Sequence, residues 1–444
     1  MVTLTARENR SQKKCIRGLS RAMETALASL GPCGPVSLNE LRGGGGSSVA
    51  AYPLSKEGWR NARVARCVLK ATCRDGDTVQ GEWQPAFRKA TTVQVVPHSP
   101  FPGEWSALLK GDAEELATIL HTKAAELLRE LVGNTVVMSR LAARHGGGVR
   151  GACEMCVPIL GWELRPHPYA RECVSLIHYT PAAAWGDVRQ ALIGFAEGNG
   201  VRPPLAADSA AVTAADAPHL DGPPVWWPRA LYMLYGVVRQ LQKYDEAGVV
   251  MPDFKFLNFV VEANGWTRAI DHEASQVLPW PVLLQRPPAA RRLHPVDAPL
   301  WSPLYAAPEM WAEDAGYLLE AAALGDRIAR QRLLAAKCNE PGLHALYEDP
   351  TLLSQLRNVH GGAGFACQAS HVWLFGASLL DALEGMREVV KARAQSGGWR
   401  QSIGGPNKVG LARLQRLARA CMVPRPGARP GLDWVAGQLL GMMP

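Results

Sequence analysis

Four side chains capable of chemistry stand in the stretch MPDFKFLNFVVEANGWTRAIDHEAS (251–275): Asp253, Lys255, Asn258 and Asp271. The remainder is mostly apolar with β-strand character, where a buried carboxylate or amide costs several kcal/mol unless something pairs with it. Two readings follow. The segment is a solvated loop, or two carboxylates, an ammonium and an amide converge on one polar ligand.

The elements that must position these groups can be read from periodicity and punctuation. A strong helix, WPRALYMLYGVVRQLQKYDEAG, closes on Gly248 and leads straight into the stretch. Upstream, residues 41–75 read as strand, Gly-rich turn and strand, and 112–144 as a long helix bent near Gly133-Asn134. CVPILGWEL (156–164) and ECVSLIHY (172–179) read as further strands. Residues 198–224, rich in Ala, Pro, Asp and Gly without periodicity, read as a disordered insertion. From about residue 310 the chain reads as mostly helical. The expected class is α+β, with a small sheet-rich part ahead of a larger helical one.

The 444 residues, 47% hydrophobic and 20% charged, suffice for one large domain or two smaller ones. No run of about 18 apolar residues occurs, so no membrane span is expected. The N-terminus is basic but lacks the apolar core of a secretory signal, and residues 1–37 are expected to form a flexible extension, disordered or helical. These absent signals point to an intracellular location, cytoplasmic or nuclear, with organelle targeting left open. Ten cysteines without a regular framework read as reduced thiols, including the single C-x-x-C of Cys153 and Cys156. A net charge of +8 is modest for this length, and the arginines are not interleaved with aromatics, which argues against a nucleic-acid partner.

Asp253, Lys255 and Asn258 fit D-x-K-x-x-N, and Asp271 follows Asn258 by 13 residues (271 − 258). In this the stretch resembles the catalytic and metal-binding loops of the eukaryotic protein kinase superfamily. SPLYAAPEMW (302–311) resembles the T-x-x-Y-x-A-P-E segment of that family, HVWLFGASLL (371–380) its D-V-W-S-L-G-x-x-L helix, and RPGARP (425–430) its D-P-x-x-R-P motif. The four matches occur in the family's order. The resemblance implies a bilobal fold, with a small β-rich N-lobe over 38–180 and a larger, mainly helical C-lobe over 181–442. It further implies that Arg429 pairs with Glu309.

For the N-lobe, LRGGGGSSV offers Gly44, Gly46 and Val49 as a phosphate-cradling turn, glycine letting backbone N–H groups approach phosphates closely. The same run also reads as a flexible linker. VARCVLKAT resembles the V-A-I-K strand and puts Lys70 in the phosphate-binding role, with Glu130 or Glu126 on the next helix as its partner, or no Glu at all if the family position falls near Asn134. SLIHYTP (175–181) resembles the hinge, where His178 to Thr180 would meet adenine through the backbone and Ile177 would be the gatekeeper.

Phosphoryl transfer needs charge neutralisation, a positioned hydroxyl and a cation near the γ-phosphate. By resemblance, Asp271 and Asn258 would hold Mg²⁺, Asp253 would take or orient the substrate proton, and Lys255 would stabilise the transferring group. Ser302 would support both, and ATP is the implied co-substrate. Several positions depart from the family. Met251-Pro252 stands for His-Arg, His272-Glu273 for Phe-Gly, and His371 for the Asp that accepts backbone N–H groups near the catalytic Asp. Glu273 would either repel phosphates or add a metal ligand. Pro252 has no N–H to donate, so donor and acceptor are expected to vanish together. The expected function is ATP-dependent phosphoryl transfer to Ser/Thr hydroxyls of a protein. The alternatives are a pseudokinase that binds or scaffolds a protein partner and, less favoured because the 302–309 segment is present, a small-molecule kinase.

Overall fold

The computed structural model describes residues 6–28, 48–53, 64–72, 84–95, 113–196 (without 146, 160, 168, 169 and 171), 226–395 and 408–443. Among these residues helices and small antiparallel sheets combine into an α+β architecture. Two compact units are distinguished: Met1–Ser139 with Val157–Ala182, and Arg140–Cys156 with Ala183–Pro444. The sequence leads one to expect a single cut near residue 180; the structure also gives Arg140–Cys156 to the second unit. The insertion expected over 198–224, and the glycines Gly44 and Gly46, lie outside the described residues.

In the first unit five strands form one antiparallel sheet: β1 (Ser48–Pro53), β2 (Val64–Thr72), β3 (Gln84–Gln94), β4 (Gly161–Pro166) and β5 (Cys173–Pro181), in the order β1-β2-β3-β5-β4. In β5, burial on both faces over 174–179 gives an uninterrupted run, VSLIHY, rather than a polar alternation. Against this sheet lie α1 (Ala6–Ala28) and α2 (Ala113–His145). The long α2 carries Glu114 and Glu115 in its first turn and Arg144 and His145 in its last, each sign placed favourably on the helix dipole.

Within the extension expected over 1–37, Ala6–Ala28 takes the helical option as α1, and that part is packed rather than flexible. Cys15, Leu19 and Met23 recur every four residues, so they share one helix face, and all three are buried against Leu127, Leu131 and Trp162. Gly18 lets the helices approach, since a Cβ there would come within 2.9 Å of Leu120 Cδ1. Arg10, Lys13, Lys14, Arg17 and Arg21 take the exposed face, which is why the segment reads as basic and polar overall. Leu19→Ala is therefore expected to cost about 2–5 kcal/mol through the cavity it leaves. Thermal melting checks this; an unchanged melt would mean that α1 is a detachable appendage.

The second unit is mainly helical. Its longer helices are α3 (Val188–Ala196), α4 (Trp226–Ala247), α5 (Ala312–Ala323), α6 (Arg327–Asn339), α7 (Pro341–Glu348), α8 (Pro350–Arg357), α9 (Gln368–Gln395), α10 (Lys408–Cys421) and α11 (Leu432–Leu440). The front half of α9 is buried all round from His371 to Leu379, making it the axis of this unit's core. It passes so close to α10 that a Cβ on Gly376 would sit 2.6 Å from the Ala418 carbonyl oxygen. Among the described residues the unit also holds three two-stranded ribbons, including β6 (Val249–Val250) with β9 (Gln276–Val277), and β7 (Phe259–Val261) with β8 (Thr267–Ala269). No described helix is long and apolar enough to cross a membrane.

Candidate active site

The loop after α4 begins with Gly248, whose φ of 70° turns the chain out of the helix into β6. Beyond it the residues alternate. Phe254 and Phe256 point inward and are fully buried, and Phe254 packs edge-on to Phe259 at 5.1 Å between ring centres. Phe256 meets Phe375 of α9 at 5.6 Å. Each buried phenyl is worth about 1.5–3 kcal/mol, so the inward residues fix the register of the outward ones. Asp253 and Lys255 are thereby turned to the opposite side.

Those two residues form a closed set with Ser302. The Lys255 ammonium donates to Asp253 Oδ2 at 2.7 Å and to Ser302 Oγ at 2.9 Å. The Ser302 hydroxyl in turn donates to Asp253 Oδ1 at 2.7 Å. Asn258, almost fully buried, donates from Nδ2 to the Asp253 carbonyl at 3.0 Å, which leaves its own carbonyl oxygen for another partner. The solvated-loop reading is thus excluded for Asp253, Lys255 and Asn258, because a shared hydrogen-bond network holds them.

Asp271 follows β8 and has φ 61°, the sole positive φ outside glycine among the described residues. Asp tolerates this region better than most residues, and such outliers cluster at functional sites. Next to it, His272 is fully buried, where the family resemblance has a Phe. Its Nε2 lies 3.1 Å from Cys156 Sγ and 3.4 Å from Tyr244 Oη, and its Nδ1 lies 3.2 Å from Ser275 Oγ. The imidazole stacks on Tyr244 at 5.8 Å. Burial holds the Tyr244 hydroxyl well above its ordinary pKa, so it stays a neutral donor.

At His371 the expectation that donor and acceptor vanish together is corrected. The Met251 N–H, one residue before Pro252, donates to His371 Nε2 at 2.8 Å. The ring's Nδ1 lies 2.8 Å from Asp245 Oδ1 on α4, so Nδ1 carries the proton and donates to that carboxylate. Burial raises the Asp245 carboxyl, while His371 and Arg292 act to lower it. The backbone donor therefore lies one residue before Pro252, and its acceptor is an imidazole rather than the carboxylate that the resemblance would lead one to expect.

Further along, Glu309 and Arg429 form the expected pair, both side chains fully buried. The guanidinium is bidentate, Nη1 to Oε1 at 2.6 Å and Nη2 to Oε2 at 2.7 Å. Its remaining N–H groups reach the carbonyls of Val423, Pro424 and Ala369, and Ser370 Oγ donates to Glu309 Oε1 at 2.5 Å. Tyr305 donates to Asp381 of α9 at 3.0 Å, and Arg189 of α3 grips the same carboxylate at 2.6 Å. This anchors the 302–309 segment to the core, with Asp381 and Arg189 in roles that no sequence motif marked.

In the first unit the lysine assignment changes. Glu130 is held by Lys89 at 2.6 Å, and the expected partner, Lys70, lies one strand earlier. Val49 is on β1 and Lys70 on β2, and their side chains lie outside the described residues. Glu126 pairs with Lys123 instead. The physical reason is order in the sheet: among the described residues β3, not β2, is the last strand before α2 and the neighbour of β5. His178 is also reassigned. It lies within β5, flanked by Lys89 on β3 and Trp162 on β4, so its backbone is enclosed by ladders on both sides. Its Nε2 points to Glu130 Oε1 at 3.2 Å, which puts His178 rather than Ile177 on the face of the Lys89–Glu130 pair. Thr180 lies one residue past the described end of the β4 ladder. Burial would raise the Glu130 carboxyl, but the His178 hydrogen bond and charge, together with Lys89, bring it down from 4.5 to about 2. A depressed carboxyl lends stability above its unfolded value, and here that stability is lost only as pH falls toward about 2.

A cleft of about 860 Å³ in the second unit, lined by Arg239, Gln240, Lys243, Glu262, Trp266 and Arg268 among others, includes none of these candidate residues. Neither the protein-family models nor the curated proteins compared with the chain match it.

Proposed function

We propose that the chain is a divergent, bilobal protein kinase that transfers phosphate from ATP to Ser or Thr hydroxyls of a protein substrate. The observation that carries this reading is the closed Asp253–Lys255–Ser302 set with Asn258 beneath it. Such a set does what phosphoryl transfer asks of a protein, which is positioning and charge rather than covalent chemistry. Both Asp253 oxygens are oriented by donors, so the carboxylate presents a fixed edge to an incoming hydroxyl and accepts its proton. The Lys255 ammonium beside it offsets charge on the moving phosphoryl group. Lys89, held by Glu130, is the lysine assigned to the nucleotide phosphates.

The donor set suits Mg²⁺, a hard cation that takes oxygen ligands. Asp271 offers a carboxylate and Asn258 a carbonyl oxygen, its amide nitrogen being committed to Asp253. When bound, the ion supplies neutralisation of phosphate charge. The departures at Met251-Pro252, His272-Glu273 and His371 favour a second reading, a pseudokinase that binds nucleotide or a partner without turnover.

One experiment separates the two. Purified protein is given Mg-ATP with a generic Ser/Thr substrate, beside Asp271→Asn. Transfer by the parent that the variant loses is the expected result. Stabilisation of the parent by Mg-ATP without transfer, abolished in the variant, would favour the pseudokinase, and the absence of both effects would overturn nucleotide chemistry altogether.

A further inference from the structure

Lys89, Glu130 and His178 form a three-membered set inside the first unit. Lys89 and His178 are directly opposed in the β3–β5 register, so both side chains leave the same face of the sheet. Glu130 reaches that face from α2 and divides its two oxygens between them, Oε2 to Lys89 Nζ at 2.6 Å and Oε1 to His178 Nε2 at 3.2 Å. The imidazole is 2% exposed, so water does not take its place at Glu130 Oε1. An ionised carboxylate only accepts, hence His178 Nε2 carries a proton and donates.

The consequence concerns what happens when Lys89 turns to an anionic ligand. A buried carboxylate that loses its sole partner bears the full cost of desolvation, and that cost would hold the lysine back. With His178 in place Glu130 keeps a donor whichever way the ammonium points. We infer that His178 is a positioning residue for the phosphate-binding lysine: it anchors Glu130 Oε1 so that Oε2 aims Lys89, and it keeps Glu130 partnered when Lys89 engages phosphate. This rests on the kinase reading for the ligand of Lys89, but not for the anchoring of Glu130.

His178→Leu and His178→Gln test it. The amide nitrogen of Gln can restore the donor, whereas Leu removes it at similar volume. A hydrogen bond to a charged group sets the scale: KM for Mg-ATP is expected to rise about tenfold in the Leu variant with kcat within about threefold, and to return to within about threefold of the parent in the Gln variant. A ligand-free readout runs beside it, the rate at which the Lys89 amine is acylated by acetic anhydride, located by peptide mass spectrometry. That rate is expected to change at least about threefold in the Leu variant and to be restored in the Gln variant, since the ammonium's hold on Glu130 alters. A loss of melting temperature alone, with KM and Lys89 reactivity as in the parent, would overturn the inference and leave His178 as packing. If the parent does not bind nucleotide, the kinase reading falls, and Lys89 reactivity alone then decides for or against the anchoring role.

Discussion

Asp253→Asn is expected to lower phosphate transfer by about 10²–10⁴-fold, the range that a positioned proton acceptor contributes. The substitution is nearly isosteric, so the loss would be chemical. Asp253 now receives donors on both oxygens, from Lys255 and Ser302. The Asn amide has one oxygen to accept with and an NH₂ that must find an acceptor. Ser302 can turn its hydroxyl to become that acceptor, so the melt should move little. The pair of readouts is the point: turnover with Mg-ATP falls steeply while thermal stability stays close to the parent. Transfer at the parental rate would remove Asp253 from the mechanism.

The largest stability effect is expected at Arg429. Arg429→Met leaves the Glu309 carboxylate at zero exposure with Ser370 as its remaining side-chain partner, and breaking a buried pair from one side costs about 3–5 kcal/mol. For a unit of this size that corresponds to a drop on the order of 10 °C in the melting transition. The double variant Glu309→Leu with Arg429→Met removes both charges and should recover much of the loss, because desolvation of the pair nearly cancels its attraction. If the single and double variants melt alike, the cost comes from lost packing over Trp373, on which the guanidinium sits at 5.3 Å, and not from a stranded charge.

Residues close together in the chain were the most readable part of the site. Asp253, Lys255 and Asn258 lie within one loop, and their alternation with Phe254 and Phe256 writes inward and outward faces directly into the sequence. The Glu309–Arg429 pair was accessible because each residue sits in its own recognisable motif. Lys89 was not. Leu69-Lys70-Ala71-Thr72 and Arg88-Lys89-Ala90-Thr91 are nearly the same word, on successive strands, and what tells them apart is which strand adjoins β5 and precedes α2. Sheet order is a long-range property that no local window contains. The break at 95–103, VVPHSPFPG, was the available clue that the strand just before it is the last one ahead of the helix.

His371 failed for a different reason. A departure from a motif reveals the missing carboxylate but not its replacement, and Asp245, which fixes the imidazole, is 126 residues away. The packing of α1 was hidden by composition, since a helix with three deeply buried apolar positions and five exposed cations among its described side chains has the overall polarity of a tail.

The surroundings of His272 bear on how this chain can change over evolutionary time. Cys156 Sγ, Tyr244 Oη and Ser275 Oγ all converge on the one imidazole. A Phe at 272 would withdraw this shared partner from all three at once, leaving the buried Tyr244 hydroxyl and Cys156 thiol to bond each other. Neighbours that share a partner do not change independently. His272 is therefore coupled to its surroundings: exchanging it for an aromatic without hydrogen-bonding atoms changes the setting of the tyrosine and the thiol in the same step.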